Sequence, residues 1–311
     1  MSKLPFPLNT CFEEEVAKYW DENWGAQSEI NKLKAVLLCR PGNELKAIDD
    51  EVKWAWKGKT NIQKAQEEHD DFAEILRKEG VKVNYMHRVA PNKAKSYFTR
   101  DYGVVVNGGA IVARMSLEIR RGEERPAEER LVQLGVPILR TIHGKGTFEG
   151  GDAVFLNEKT LCIGRSIRTN EEGIKQLSEV LSVVGVEEIV TVPLPGYYSR
   201  WPSGYCHLDI VFTVVDEKKA LIYPEGVPFW FIKYLQNKGI ELIEASPEEV
   251  DTMGTNVLTI HPGRVVMVAE NDKTRKALEK AGVDVIEVLM RELQKGGGGP
   301  RCCTLPLLRE H

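Results

Sequence analysis

Short apolar segments and amphipathic segments alternate along the chain in an order that recurs. In each copy, two apolar strands joined by a turn precede an amphipathic helix, and a Val/Ile-rich strand follows. The first copy comprises KLKAVLLCRP, a long insert, the helical segment NIQKAQEEHDDFAEILRKEG and the strand VKVNYM. The later copies begin near Asp101, Glu149, His207 and Asn256. This pattern predicts five ββαβ modules, each of roughly 45 to 60 residues.

The predicted helices carry local signals for where they begin and end. In the third copy, Ile174, Leu177 and Leu181 form an apolar stripe at helical spacing, and Asn170 precedes them as a candidate N-cap. Glycine follows several helices, as a left-handed C-cap requires, at Gly80, Gly185, Gly239 and Gly282. The strands are short and rich in β-branched residues.

Two architectures can accommodate such modules. A single module cannot bury its apolar face alone, and a closed ring of modules would leave no exposed end. The alternative is an α/β sandwich in which the similarity between segments is coincidental. Periodicity alone leaves both open.

Charge and composition exclude several classes of protein. The net charge of −4 supplies no strong positive field, which argues against nucleic-acid and anionic-membrane partners. No apolar stretch approaches the roughly eighteen residues that cross a bilayer, and no apolar signal segment precedes the acidic run at residues 13–15. The six cysteines include no pair at zinc-ligand spacing. We therefore expect a cytoplasmic protein without a nucleic-acid or membrane partner.

Chemically reactive residues stand at the starts of the modules. Asp101, Glu149 and His207 head three copies, and Cys302 follows the fifth. If the modules surround an axis, these four side chains share one pocket as nucleophile, general acid/base and cation-binding carboxylates. Asp209 follows His207 at i+2, and in a strand both would face the same cavity. The alternative is that they form a hydrogen-bonded pair on the polar face of the strand.

A glycine run, KGGGGPR, precedes Cys302 and Cys303. Such a run lets the backbone approach a ligand closely and can direct amide N–H groups into a cavity. It lacks the G-K-[ST] ending of a phosphate loop, which argues against nucleotide binding. The segment CTLPLL predicts an apolar strand, although a tail with incidental cysteines is the alternative. We expect Arg301 and a bound substrate cation to lower the pKa of a thiol here.

Five motifs, in this order, resemble the guanidine-modifying superfamily: FTRDYG, EGGD, GRSIRTNEEG, CHLDIVFT and GGGGPRCC. The superfamily contains arginine deiminases, dimethylarginine dimethylaminohydrolases and amidinotransferases, and the similarity extends from about Lys32 to the C-terminus. It implies an α/β fold, a five-bladed α/β propeller (pentein) of ββαβ modules around a pseudo-fivefold axis. We therefore expect residues 1–311 to form a single catalytic domain, with residues 1–31 as an N-terminal extension packing on it.

The resemblance also implies catalytic roles. By their motifs, Cys302 (and not its neighbour) is the nucleophile and His207 is the general acid/base. Asp101 and Asp209 look like the pair that binds the guanidinium, and Glu149 looks like the residue bonded to both substrate and His207. The superfamily's chemistry requires neither a metal nor a cofactor.

Two arginines complete the implied site. In arginine deiminases, two arginines bind the α-carboxylate of the substrate. The matching positions are Arg168 and Arg120, although Arg114 and Arg121 stand close to the second. We therefore expect a small guanidino compound as the partner; a homo-oligomer is compatible with the sequence.

The expected reaction is hydrolysis of arginine, or of a close derivative, to citrulline and ammonia through a covalent thiouronium. The chain has no room for the extra helical domain of arginine deiminases, whereas dimethylarginine enzymes usually lack FTRD and GPRC. Methylarginine hydrolysis is the next alternative, followed by amidino transfer and agmatine deimination. A non-catalytic propeller that binds other proteins is an alternative of a different class. In the insert KAIDDEVKWAWKGKT, Trp54 and Trp56 are expected either to form a lid or to pack on the surface.

Overall fold

The computed structural model describes residues 9–195 and 205–310. Within these ranges the chain forms five three-stranded sheets. The strands are β1 (Leu33–Leu38), β2 (Lys82–Tyr85), β3 (Gly103–Val106), β4 (Gly109–Val112), β5 (Ile138–Thr141), β6 (Ala153–Asn157), β7 (Thr160–Arg165), β8 (Glu188–Pro193), β9 (Phe212–Asp216), β10 (Lys219–Ile222), β11 (Glu241–Glu244), β12 (Leu258–His261), β13 (Arg264–Val268), β14 (Asp284–Val288) and β15 (Leu305–Arg309). The helices are α1 (Phe12–Tyr19), α2 (Glu51–Trp54), α3 (Ile62–Lys78), α4 (Glu124–Gln133), α5 (Glu171–Leu181), α6 (Phe229–Asn237) and α7 (Asp272–Lys280).

Each sheet joins an antiparallel pair of strands to a third strand that runs parallel. In the second module, β3 and β4 are antiparallel, and β5 pairs parallel with β4 after the crossover through α4. The third, fourth and fifth modules repeat this order around α5, α6 and α7. The five predicted modules are therefore present, each with its helix.

The first module differs because its two local strands, β1 and β2, pair in parallel. Its antiparallel strand is β15, from the other end of the described chain. The segment CTLPLL is thus a strand, as predicted, and not a tail. Its pairing with β1 was not predicted.

The modules contact one another in a cyclic order. Strand β15 of the first module contacts β3 of the second, β6 of the third contacts β9 of the fourth, and β12 of the fifth contacts both β9 and β1. The 3₁₀ turns at Thr99–Tyr102 and Gly150–Asp152 join the second module to the third. This closed order favours the ring over the sandwich.

Most of the predicted helix boundary signals are confirmed. The Asn170 side chain accepts a hydrogen bond from an amide in the first turn of α5, at 2.9 Å. Gly80, Gly185, Gly239 and Gly282 have φ values of 79°, 86°, 74° and 82°. Glycine adopts this left-handed conformation without steric cost, and Gly80, Gly239 and Gly282 directly follow the C-cap residues of α3, α6 and α7. Helix α5 instead ends at Leu181 with Ser182 as its C-cap, so Gly185 lies in the turn beyond the helix and the prediction that it caps α5 is wrong.

The tryptophans of the long insert are buried. Both Trp54 and Trp56 belong to the apolar cluster that also contains Phe72 of α3. Their indole nitrogens donate to Asp49 and Thr60 at 2.8 Å. The expectation of a surface position is therefore wrong for both, because each ring is buried among residues of the first and fifth modules. The alternative of a lid stays a prediction.

Part of the N-terminal extension also packs on the modules. Trp24 and Ala26 are buried in the cluster that contains Leu305 and Leu307 of β15. Gly25 forms a parallel bridge to Leu308. None of the helices in the described residues has the length and apolarity of a membrane span.

Candidate active site

The predicted reactive residues lie at equivalent positions, just before the first strand of a module. Asp101 is in the 3₁₀ turn that precedes β3, and Glu149 precedes the turn before β6. His207 precedes a third such turn, Leu208–Ile210, before β9. Cys302 comes before β15.

The strand argument for His207 and Asp209 is wrong. His207 has an extended backbone, but Asp209 lies inside the 3₁₀ turn that follows it. Their side chains therefore contact different neighbours: His207 bonds to Glu149, whereas Asp209 bonds to Arg301.

These turns bring most of the predicted residues to one cavity of about 650 Å³. The predicted residues that line it are Asp101, Arg120, Arg168, His207 and Cys302. Glu149 and Asp209 are completely buried behind the lining, where they contact His207 and Cys302 respectively. The nucleophile, the imidazole and the carboxylates predicted from the sequence therefore meet in space.

His207 lies between two carboxylates. Its Nε2 is 3.0 Å from Oε2 of Glu149, and its Nδ1 is 3.7 Å from Oδ1 of Asp101. Burial alone would lower the pKa of His207, but Asp101, the thiol of Cys206 and the Glu149 hydrogen bond raise it well above its usual value. Burial would likewise raise the pKa of Glu149, yet Arg168 and His207 lower it. Both shifts favour the charged forms, the imidazolium of His207 and the carboxylate of Glu149.

Gly151 leaves the space in which the His207 ring lies beside Asp101. A Cβ on Gly151 would lie 2.8 Å from Cγ of His207 and 2.9 Å from Oδ1 of Asp101. The Gly151 amide also donates to Oδ1 of Asp101 at 3.2 Å. The EGGD motif therefore supplies both the buried carboxylate of Glu149 and the space for the imidazole.

Cys302 lies against Asp209, with Sγ 3.7 Å from Oδ2. Burial, followed by the charges of Asp209 and Asp101, raises the pKa of this thiol well above its usual value. The expectation that Arg301 lowers it is wrong, because the Arg301 guanidinium donates to Asp209 and Glu29 at 2.8 Å each. Arg301 is thus an ion-pair partner of the carboxylates and leaves the resting thiol protonated.

Asp209 retains an unused acceptor. Its Oδ2 is shared by Arg301 and Cys302. Its buried Oδ1 has no hydrogen-bond partner among the described residues. A buried carboxylate oxygen without a donor is costly, so this oxygen has capacity for one further N–H donor.

Three side chains have the composition of a metal site. Asp101, Glu149 and His207 offer ligand atoms that lie within 4.8 Å of one another. However, Arg120 already bonds to Asp101 and Arg168 to Glu149. A metal ion would therefore have to compete with two guanidinium groups for these carboxylates, which disfavours this use of the cluster.

Comparison with known proteins identifies the family. Residues 42–309 match the family model described as N,N dimethylarginine dimethylhydrolase, eukaryotic. The chain belongs to this family. The guanidine-modifying superfamily predicted from the motifs is thereby confirmed, and its pentein fold agrees with the five α/β modules described above.

Two relatives are similar to this chain over most of its length. The uncharacterized protein YkgA of Bacillus subtilis strain 168 is 31% identical, over 91% of this chain and 94% of its own length. An arginine deiminase of Latilactobacillus sakei subsp. sakei strain 23K is 26% identical, over 91% of this chain and 97% of its own length. That alignment extends over 404 residues, so the deiminase carries insertions that this chain of 311 residues lacks.

A solved structure of the same family has a closely similar fold. It is a dimethylarginine dimethylaminohydrolase from Pseudomonas aeruginosa, a cysteine-to-serine mutant complexed with citrulline. It superposes with a TM-score of 0.74 at 26% identity, covering 89% of this chain and all of that one. Hydrolytic members of the family and superfamily thus have the fold of this chain.

In the present chain, Asn256 is a site residue that the sequence did not lead us to predict. Its side-chain oxygen accepts hydrogen bonds from the amides of Cys302 and Gly299, at 3.1 and 3.2 Å. Its amide nitrogen donates to the carbonyl of Asp209 at 3.2 Å. Asn256 therefore fixes the nucleophile loop against the Asp209 turn. Its position at the start of the fifth module was the available signal.

Lys95 and Cys206 also line the cavity without having been predicted. Lys95 is buried, and its ammonium donates to the carbonyls of Gly296 and Ala55 at 2.7 and 3.2 Å. Cys206 is half-buried, with Sγ 4.0 Å from Nδ1 of His207. Burial would raise the pKa of Cys206, but His207 and Arg168 lower it. Neither residue belongs to a pattern from which a role could be predicted.

Proposed function

We propose that the chain is a cysteine hydrolase that cleaves the guanidinium group of arginine or a close arginine derivative. Its whole length would act as one catalytic domain, a five-bladed α/β propeller with the reaction at its axis. The observation that carries this proposal is that a thiol, an imidazolium and carboxylates meet around one cavity. The free Oδ1 of Asp209 lies on the carboxylate that contacts the sulfur.

Substrate binding would activate the nucleophile. A guanidinium is a planar cation with N–H groups that suit carboxylate acceptors. Bound between Asp209 and Asp101, it would offset the two charges that raise the pKa of Cys302. The Cys302 thiol would then release its proton to the solvent in the cavity, because His207 already carries one, and the thiolate would form next to the electrophilic carbon.

His207, held by its hydrogen bond to Glu149, would carry the protons. The Cys302 thiolate attacks the guanidinium carbon, and the imidazolium of His207 protonates the nitrogen that leaves as an amine. The C–N bond breaks, and a thiouronium remains on the sulfur. His207, now neutral and still bonded to Glu149, removes a proton from water. The resulting hydroxide displaces the sulfur and releases the ureido product.

The leaving group distinguishes the two main candidates. Hydrolysis of arginine releases ammonia, which is the reaction that the FTRD and GPRC motifs favour. Hydrolysis of a methylated arginine releases an alkylamine, and the matching family model favours this second candidate. Both share the same mechanism and give citrulline.

Separate product assays test the proposal. Purified protein is incubated with arginine, mono- and dimethylarginine and agmatine, and ammonia, alkylamine and ureido product are measured individually. We expect stoichiometric amine and ureido product from at least one of the arginines, and none with Cys302→Ser. If no substrate of this panel is hydrolysed, or if Cys302→Ser retains the activity, the proposal is wrong.

A further inference from the structure

Cys206 is a second thiol at the cavity, and the proposed reaction does not use it. It lines the cavity and directly precedes His207, with its Sγ 4.0 Å from Nδ1 of that imidazole. Cys206 is half-buried, whereas Cys302 is only 4% exposed. Cys206 is therefore the more accessible of the two thiols to a small molecule in the cavity.

The two cavity thiols face groups of opposite charge. Sγ of Cys302 lies 3.7 Å from a carboxylate oxygen of Asp209. The sulfur of Cys206 instead contacts an imidazole whose neighbours favour its charged form. A nearby cation stabilises negative charge on sulfur, and a nearby carboxylate opposes it. Without substrate, these contacts favour a thiolate at Cys206 and a neutral thiol at Cys302.

Arg168 adds to the positive surroundings of Cys206. It lines the same cavity and is buried, and its Nε has no hydrogen-bond partner among the described residues. Burial alone would raise the pKa of Cys206, but the charges of His207 and Arg168 lower it. The cavity next to Cys206 thus holds two positive groups and an unused N–H donor, which suit an anionic sulfur and an oxygen added to it.

We propose that Cys206 is an oxidation site, a thiolate paired with His207 that reacts with small hydroperoxides ahead of Cys302 and thereby switches the active site off. The thiolate attacks one peroxide oxygen, the O–O bond breaks, and a sulfenic acid forms on the sulfur. The sulfur is oxidised by two electrons and the peroxide is reduced. The departing hydroxide or alkoxide takes its proton from the imidazolium of His207.

The new oxygen would block the step that needs His207. It would lie in the cavity beside the imidazole, where the leaving nitrogen of a substrate must receive its proton. The loss of activity therefore rests on the proposed function, whereas the oxidation of Cys206 does not. Sulfenic acids are reduced by thiols, so the loss should be reversible.

Cysteine labelling of the substrate-free protein tests the site independently of any activity. Folded, reduced protein is treated with iodoacetamide at pH 6, and labelling of each cysteine is followed by peptide mass spectrometry. An ordinary thiol of pKa about 8.5 is only about 0.3% thiolate at that pH. We expect Cys206 to be labelled at least about tenfold faster than Cys302, because Cys206 contacts a cation and Cys302 a carboxylate. In urea, where both thiols lose these contacts, the two rates should be similar.

Two substitutions show whether the neighbouring cations cause this reactivity. His207→Asn and Arg168→Gln each remove one positive group, and folding is checked by circular dichroism. We expect either change to slow the labelling of Cys206 by about threefold or more, with the larger effect for His207→Asn because its ring contacts the sulfur. Labelling of Cys302 as fast as that of Cys206 in the folded wild type would overturn the proposal. An unchanged Cys206 rate in both folded variants would do the same.

Peroxide treatment then tests the switch. Wild-type protein and Cys206→Ser are each treated with hydrogen peroxide, and activity on the best substrate of the panel is compared before and after. We expect the wild type to lose activity about tenfold and to recover it with dithiothreitol, whereas the activity of Cys206→Ser should change by less than about twofold. A dimedone adduct, which marks a sulfenic acid, should be found on Cys206 of the wild type.

The outcomes separate the switch from the proposed function. Equal losses in both proteins, or dimedone adducts on Cys302 and not on Cys206, would overturn the switch. If untreated wild-type protein hydrolyses no substrate of the panel, the proposed function fails. The labelling rates and the dimedone adducts would still decide whether Cys206 is the oxidation site.

Discussion

The hydrogen bonds of Asn256 make a sharp prediction about how the nucleophile is held. Asn256→Ala would leave three buried groups without partners: the amides of Cys302 and Gly299 and the carbonyl of Asp209. Each such group costs about 1 to 3 kcal/mol. At the lower end of that range, the free energy of unfolding should fall by roughly 3 kcal/mol.

The same change should lower turnover. Without Asn256, the loop that carries Cys302 loses its bond to the Asp209 turn, and Sγ is no longer fixed beside the carboxylate. A misplacement of about 1 Å can reduce the rate about 100-fold. We therefore expect kcat, corrected for the folded fraction, to fall by about that factor with a smaller change in KM. The assay combines urea denaturation with steady-state kinetics on the best substrate of the panel.

A control with similar bonds lies outside the cavity. The side chain of Gln176 is buried and exchanges two hydrogen bonds with the backbone of His143, at 3.1 and 3.0 Å. Gln176→Ala should therefore lower stability by a comparable mechanism while leaving kcat near that of the wild type. Wild-type kcat in Asn256→Ala, or an equal fall in Gln176→Ala, would refute the positioning argument.

Three further predictions follow from individual contacts. Cys302→Ser should abolish turnover while Cys303→Ser keeps much of it, and equal losses with intact folding would contradict our choice of nucleophile. Gly151→Ala should lower kcat about 100-fold, because its Cβ would lie 2.8 Å from the ring of His207; wild-type kcat would show that the imidazole tolerates displacement. Burial lowers the pKa of His69 from 6.5 to about 4, so the unfolded chain binds a proton first as pH falls. The free energy of unfolding should therefore fall by up to about 3 kcal/mol as the pH is lowered from 6.5 to about 4. Urea titrations should show a smaller loss in His69→Leu, and an unchanged pH dependence would contradict this origin.

The sequence predicted the modules and the residue types of the site well because both depend on local patterns. Most of the helices follow apolar periodicity with a glycine beyond the last turn. The reactive residues recur at the starts of the second, third and fourth modules and after the fifth. Such signals need no knowledge of distant contacts. They indicated Cys302 and His207 as candidate catalytic residues.

Contacts between distant segments could not be predicted in the same way. The pairing of β15 with β1, the bond from Asn256 to the Cys302 loop and the ion pair of Arg301 with Glu29 all join residues far apart in the chain. The error about Arg301 has this origin, since its proximity to Cys302 in sequence said nothing about where its guanidinium points. Burial of the insert tryptophans likewise depends on tertiary packing.

The strand that completes the first module has a consequence for when the protein becomes reactive. Cys302 lies just before β15, and β15 finds its partner only when it reaches β1 near the opposite end of the described chain. Such long-range pairing is an inherently slow part of folding. Before β15 pairs with β1, Cys302 is therefore not yet held beside the groups that would activate it. The reactive site is completed by the same step that completes the fold.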